Sequence, residues 1–487
     1  MTNILSFDEA QIQRMFGHEA AEDEDLDRLR EYYFKTSTYD QVVTDLPLRI
    51  LVGHKGIGKS ALFQVAMAED KEGSRLAILI KPDDVLGLGT DTKDFLETIR
   101  EWKIGLTEII TRRVFSSLGA DAGEDLGPRL KRFGGKAIEF LRNTFKETER
   151  IDFNPTNRLV VNNFLKTGKI IVYIDDLDRG WQGQREDTLR ISALLNAVRD
   201  LVKESKGLYF RVSLRSDVYF LVRTSDESTD KIEGSVIWQI WNNHEIFVLL
   251  IKRIESFFGR GVDESRLIET PQKDLATYLY QVMEPRFRGV GHWQNAPMYR
   301  VLMSLIRKRP RDLVKLCTLA ARNARELKND KIQTINFENS FEEYSQGRLQ
   351  DTANEFRSEL PHIERLLMNM RPNRRERTTK AGYVYKTDAL LKKISNICEM
   401  GQFHFSNGIV ASNKDLAAFM FKINFLTARK EMSNGIVRKY FEENRYLSGR
   451  FVDFGFDWEI HPAYRWALQP ENVADIFRML ELSADEK

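Results

Sequence analysis

The spacing of hydrophobic positions changes along this chain, and the changes divide it. From Ile12 to Phe34 apolar residues recur at helical spacing, interrupted by the acidic run Glu22 to Asp27, which reads as a solvated face or a helix start. Leu48 to Val52 is a continuous apolar run of strand length, followed by a glycine-rich stretch and then a helix from Lys59 to about Met67. Leu76 to Ile80 predicts the next strand. Between Thr92 and Phe164 the period is helical, with Phe95, Ile99, Trp102, Leu106 and Ile110 three and four apart as packing positions, and Gly119 to Gly135 predicts a glycine-rich loop. Lys169 to Ile174, Leu208 to Leu214 and Ser235 to Ile240 are further apolar runs compatible with buried parallel strands, and a helix is expected over Asn243 to Phe258. Strands alternating with helices over this length predict a doubly wound α/β sheet.

Beyond Arg260 helical patterns dominate: Gln272 to Met283, Pro297 to Lys308, Pro310 to Leu327 with proline at its first position, and Phe337 to Leu349. After Asp351 come a helix from Leu360 to Met370, a basic loop from Arg371 to Lys380, two more helices, and alternating aromatic runs at Ile436 to Phe441 and Phe456 to Ile460. Three helices with a hairpin suggest a winged helix. The expected organisation is an N-terminal helical segment (1–40), an α/β core (41–260) with a helical insertion at about 92–164, a helical lid (261–350) and a winged-helix-like domain (351–487). No repeat of 20–50 residues is visible, so a solenoid is not indicated.

Composition narrows the function classes. Of 487 residues, 74 are Lys or Arg and 72 Asp or Glu, so a general nucleic-acid coat is excluded and any polyanion site is local. Cys317 and Cys398 have no metal-ligand spacing and read as buried small residues. The N-terminus lacks a signal pattern and no apolar stretch is long enough to span a bilayer, so the expectation is a cytoplasmic protein with no membrane partner.

The chemistry concentrates after the first strand. Gly53-His54-Lys55-Gly56-Ile57-Gly58-Lys59-Ser60 fits G-x-x-x-x-G-K-[ST], between a strand and a helix that continues through Ala61. Glycines let backbone N–H groups turn inward toward phosphates, and the helix N-terminus adds partial positive charge. Lys59 would reach the β- and γ-phosphates of a nucleotide, and Ser60 would offer its hydroxyl to Mg²⁺. The strand Ile170 to Ile174 ends in Asp175-Asp176-Leu177-Asp178-Arg179, at the edge where α/β sheets bind ligands. Asp175 is the metal candidate, and Asp176 the residue that orients or deprotonates water.

Arg215, ending the next strand, reads either as a fork for the γ-phosphate or as a surface arginine. Arg307-Lys308-Arg309-Pro310-Arg311-Asp312 gathers cations at a helix start, against the dipole; an anion opposite them or a basic solvated turn would each explain it. His362-Ile363-Glu364 lacks the cysteine pair of a zinc deaminase and reads as helix surface, and no Ser/His/Asp arrangement stands out. Basic and aromatic residues mix over Arg371 to Tyr385 and Arg438 to Arg450, where a wing would meet a nucleic-acid backbone or a protein.

Taken with Phe16-Gly17, Tyr32-Tyr33-Phe34-Lys35-Thr36-Ser37-Thr38-Tyr39 and R-P-R-D-L at Arg309 to Leu313, these motifs make residues 16–350 resemble a group of bacterial P-loop ATPases. That group is related to the KAP and STAND branches of the AAA+-like superfamily, and its type was first named from a cyanobacterial open reading frame. The resemblance implies an ATP-dependent switch with nucleotide between core and lid, control of homo-oligomerisation or of an effector or sensor partner, and roles in bacterial conflict such as anti-phage defence. It places Lys59 and Ser60 at phosphate and magnesium, Asp175 and Asp176 at metal and water, Arg215 at the arginine after the fourth strand and Arg311 at the lid arginine. Unlike STAND proteins, the chain carries no repeat array after the winged helix. The alternative reading is a nucleic-acid-handling ATPase whose winged helix grips DNA.

Overall fold

The computed structural model describes residues 5–90, 94–118, 137–147, 155–179, 181, 184–225, 227–373, 376, 382–433, 435–444, 455–468, 476–477 and 480–485. The chain forms two compact units, Lys35–Gln239 and a second made of Met1–Phe34 together with Ile240–Lys487.

Unit Lys35–Gln239 is built on five parallel strands: β1 (Leu48–Gly53), β2 (Leu76–Ile80), β3 (Ile170–Ile174), β4 (Leu208–Arg215) and β5 (Val236–Trp238), in the order β2-β3-β4-β1-β5. The strands are apolar because parallel sheets are covered on both faces. Strand parity sorts the side chains: Ile50, Val52, Val172, Ile174, Phe210, Val212 and Leu214 form one buried cluster with Trp102 and Leu106 of the helix Phe95–Ser117 and Leu194 and Val198 of the helix Arg185–Glu204. Fully burying each such aliphatic side chain stabilises the fold by about 1.5–3 kcal/mol. On the other face packs the helix Lys59–Glu72, where Phe63 meets Tyr173 edge-on at 5.3 Å. That helix runs a turn beyond the expected Met67, where Ala68 and Asp70 are still buried and Asp70 accepts from Tyr173 Oη at 2.6 Å. The helices Ala137–Glu147 and Pro155–Thr167 complete the long connection from β2 to β3; the loop expected at Gly119 to Gly135 lies outside the described residues.

The second unit opens with the helix Glu9–Phe16, which packs against the helices Asn243–Phe257 and Pro310–Glu326. Gly17 follows at φ 78°; a side chain there would meet the Arg253 guanidinium, which donates to the Phe16 carbonyl. Within the acidic run, Asp25 caps the helix Leu26–Tyr32, while Glu24 is internal and accepts from His18 N at 3.0 Å and Tyr32 Oη at 2.9 Å. The helix Asn243–Phe257 starts in a capping box: Glu245 N donates to the Asn242 side chain at 2.7 Å and Asn242 N to Glu245 at 2.9 Å.

Where one helix is expected over Gln272 to Met283, the chain makes the short helix Gln272–Leu275 and a 3₁₀ segment Ala276–Gln281, then a two-strand ladder of β6 (Arg286–Phe287) and β7 (Ala296–Pro297). The helix Thr334–Phe356 is longer than expected because Phe337, Phe341, Tyr344, Leu349 and Phe356 keep one buried stripe along it. Helices Thr387–Glu399 and Asn413–Lys422 pack on a sheet of β8 (Val384–Tyr385), β9 (Leu426–Met432), β10 (Gly435–Lys439) and β11 (Asp457–Ile460), while Ile363–Asn369 packs on the helix Thr334–Phe356, a winged-helix-like arrangement. The two aromatic runs enter this sheet on either side of β9, in the order β10-β9-β11-β8. Leu426, Thr427 and Ala428 are buried, which puts β9 at the centre.

Candidate nucleotide-binding site

The site begins where β1 ends. Gly53, the last residue of β1, lies beside Arg215 of β4 in the parallel register. A Cβ on Gly53 would sit 2.9 Å from Ile57 Cγ2 and 3.2 Å from Gln239 Cβ, so only glycine fits. Gly56 and Gly58 have φ of 77° and 99°, a conformation that side chains disfavour, and this turns the loop into the helix Lys59–Glu72. That helix has no side-chain cap and no acidic residue in its first turn, an N-terminus whose dipole suits an anion. Lys59 Nζ donates to the Gly53 carbonyl at 2.9 Å and the His54 carbonyl at 3.2 Å, folding the ammonium over its own loop. Lys55 is exposed and Ser60 and Ala61 are half-buried. His54 is turned inward, with Nδ1 2.9 Å from Ser216 Oγ.

Acids line the neighbouring strand ends. Asp175 follows β3 and is half-buried; Ser213 of β4 donates its hydroxyl to Oδ1, and Asp176 N donates to the same atom at 3.1 Å. Asp176 is exposed and held at φ 59°, an uncommon conformation for a residue with a side chain. Asp178 is buried; burial raises its carboxyl above the usual carboxylate range, against the opposing charges of Arg215 and Lys59. Arg215 is held by carboxylates: Nε and Nη2 donate to Asp217 at 3.1 and 2.6 Å, its backbone N donates to Asp178 at 3.3 Å, and Nε lies 3.5 Å from Asp178. Lys59, Asp175, Asp178 and Arg215 therefore belong to one edge of one sheet.

Sequence reading passed over Ser213, Asp178 and Ser216. Ser213 shares strand parity with Arg215, and that signal would have found it. Asp178 reads as an ordinary turn residue until its burial is seen.

The basic helix start lies in the other unit, and there three of its cations have their counter-ions inside the fold. Arg307 donates to Asp312 at 2.7 and 2.9 Å, and to Thr352 and Tyr464 at 2.8 Å each. Arg309 pairs with Glu355 at 3.2 Å, Lys308 with Glu443 at 2.6 Å, and Arg348 adds a contact to Asp312 at 2.8 Å. An anion opposite is not needed to explain these cations, and the solvated turn is equally set aside because Arg307 and Arg309 are buried. Arg311, whose Nε donates to the Glu19 carbonyl at 2.9 Å, is on the exposed side. In the expected wing, Arg438 is likewise internal, bonded to Glu459 at 2.7 and 3.0 Å; residues 445–450 of that segment and most of 374–381 lie outside the described residues.

Among the described residues no cluster of three or more His, Cys, Asp and Glu forms a metal cage, and no helix is long and apolar enough to cross a membrane. A magnesium ion carried by nucleotide phosphates requires no such cage.

Residues 245–353 match the model of the FunZ-associated C-terminal helical domain. Over 513 aligned positions the chain is 22% identical to an 80.3 kDa protein ascribed to transposon gamma-delta in Escherichia coli (strain K12), covering 95% of this chain and 69% of that one. Similar solved structures include the Walker-type ATPase paby2304 of Pyrococcus abyssi, at 14% identity, TM-score 0.42 and coverage of 95% and 99%. The ORC2 protein of Aeropyrum pernix in ADPNP–ADP complexes aligns at 11% identity, TM-score 0.40 and coverage of 88% and 87%. With TM-scores below 0.5, the functional reading rests on the loop's own residues.

Proposed function

We propose that this chain binds Mg²⁺-ATP at the Gly53–Ser60 loop, hydrolyses it, and uses the nucleotide state to control its own assembly or an effector partner. The observation that carries this reading is the uncapped N-terminus of the helix Lys59–Glu72, with Lys59 folded over the loop and Asp175 on the same sheet edge. Backbone N–H groups of the loop would hold the phosphates. Lys59 would exchange two carbonyl acceptors for phosphate oxygens, a stronger charge-assisted contact. Ser60 and Asp175 would hold the magnesium ion, which supplies charge neutralisation for phosphoryl transfer, and Ser213 would keep Asp175 oriented. Asp176, exposed beside them, would orient the attacking water, and Arg215 would partly leave Asp217 for the γ-phosphate.

Phosphate release by the intact protein beside Lys59→Ala and Asp176→Asn tests this. The expected result is turnover by the parent and loss of roughly a hundredfold or more in each variant. Nucleotide binding with no turnover in any of the three would leave a nucleotide-dependent scaffold, and no binding by the parent would remove the reading. The lid role of Arg311 and a setting in anti-phage defence belong to the same proposal. The transposon named in the E. coli relative's description supports a setting of conflict between a bacterium and mobile DNA.

A further inference from the structure

Gln239 is the residue that the nucleotide reading leaves unused. It follows β5 and extends the β1–β5 register, in which Val52 pairs with Trp238, so it stands abreast of Gly53; its backbone N donates to the Val52 carbonyl at 2.8 Å. Its Cβ is 3.2 Å from where a Cβ on Gly53 would be, which puts the side chain on the same face of the sheet as the phosphate loop. The side chain has no solvent exposure, and neither Nε2 nor Oε1 has a hydrogen-bond partner among the described residues. A buried amide without partners is destabilising, and native folds satisfy nearly all such groups.

The flanks of the loop differ in charge. Toward β4 and β3 stand Arg215, Asp175, Asp176 and Asp178, matched to phosphates and metal. Toward β5 stands a neutral amide with one donor and one acceptor free. Strands are about 4.8 Å apart, so β4 and β5, on either side of β1, stand about 10 Å apart, room for phosphates toward one flank and the nucleoside toward the other. A neutral bidentate amide suits the nucleoside end of the ligand. Adenine offers a donor (N6–H) beside an acceptor (N7), the complement of a glutamine amide, whereas the corresponding edge of guanine carries two acceptors and would leave Oε1 unpaired.

We propose that Gln239 reads the base, accepting from the adenine amino group and donating to a ring nitrogen, and so selects ATP over GTP. This rests on the nucleotide site proposed above. The test is equilibrium binding of ATP, GTP and inorganic tripolyphosphate to the full chain, to Gln239→Leu and to Lys59→Ala, with thermal melting of each. The parent should favour ATP over GTP by roughly 10- to 100-fold. Gln239→Leu should lose that preference through weaker ATP binding, with tripolyphosphate affinity within about threefold of the parent, because a bidentate contact to the base adds nothing to phosphate binding. It should also melt no lower than the parent, since the amide has no partner to lose. If the Leu variant does not fold, Gln239→Met carries the same comparison. An unchanged ATP-to-GTP ratio in a folded variant overturns the inference while leaving the loop reading intact. Equal binding of ATP and tripolyphosphate by the parent and Lys59→Ala overturns the loop reading itself.

Discussion

Ser213–Asp217 in one unit and Arg307–Asp312 in the other look alike as strings, each mixing arginine with a nearby aspartate, and both were candidates for phosphate contact. They differ in where the charge ends up. Arg215 has a side chain 21% exposed and is shared between two carboxylates at a sheet edge. Arg307 is 2% exposed and spends its donors on Asp312, Thr352 and Tyr464. The helical unit uses such pairs as internal ties; a second network joins Arg438 and Arg465 to Glu459. Cations bound this way are structural. A cation at a ligand edge must keep an acceptor that a phosphate can replace.

Breaking an internal tie should therefore have the largest effect. Asp312→Ala leaves Arg307 buried without its carboxylate and takes one of two from Arg348, and chemical denaturation should show a loss of about 3–5 kcal/mol. A loss under 1 kcal/mol would mean that the network is not a structural tie.

Acid should separate the two units next. Burial, then Arg438, depress the His461 imidazole well below 6.5, so its contribution is present above pH 6.5 and is lost as pH falls, because the unfolded chain takes up the proton first. Burial alone would raise the Glu459 carboxyl, but Arg438 and Arg465 outweigh it and hold it at about 2, so this contribution fades between pH 4.5 and 2. Asp178 has the opposite sign: its raised carboxyl favours the protonated folded form, and its stabilising contribution is lost as pH rises through the folded value. Hydrogen exchange followed from pH 7 to 4 should show protection lost first around β11 and the turn at His461 that follows it. Loss in step in both units would undo the contrast.

Lys59→Ala should weaken ATP by on the order of a hundredfold in calorimetric titration. Unfolding free energy should change by less than about 0.5 kcal/mol, since its acceptors are carbonyls at the rim of a loop. Ser213→Ala should raise the magnesium concentration needed for half-maximal turnover roughly tenfold by releasing Asp175. The smallest change expected is that of Arg311→Ala on stability, under about 0.5 kcal/mol. A fall in turnover with that stability unchanged would tie Arg311 to the nucleotide, and unchanged turnover would detach it.

The five core strands were legible because parallel strands are continuous apolar runs, and Leu48–Val52, Leu76–Ile80 and Ile170–Ile174 each match such a run. Helix ends were less so: the capping pair Asn242–Glu245 marks a start, but the extent of Thr334–Phe356 depends on which neighbours cover its apolar stripe. The strands β6, β7 and β8 are two residues each, too short to show any period.

For the site, the chain alone determined the loop, because G-x-x-x-x-G-K-S states a backbone conformation in residues that can adopt it, and φ of 77° and 99° at Gly56 and Gly58 is local geometry. It likewise determined that acids follow β3. Only the tertiary structure decided which charges are spoken for. Ser213 meets Asp175 across 38 positions, Arg309 meets Glu355 across 46, and Gln239 comes to Gly53 with both amide atoms unpaired among the described residues. Burial and counter-ions are properties of neighbours brought together by folding, and a string of residues does not carry them.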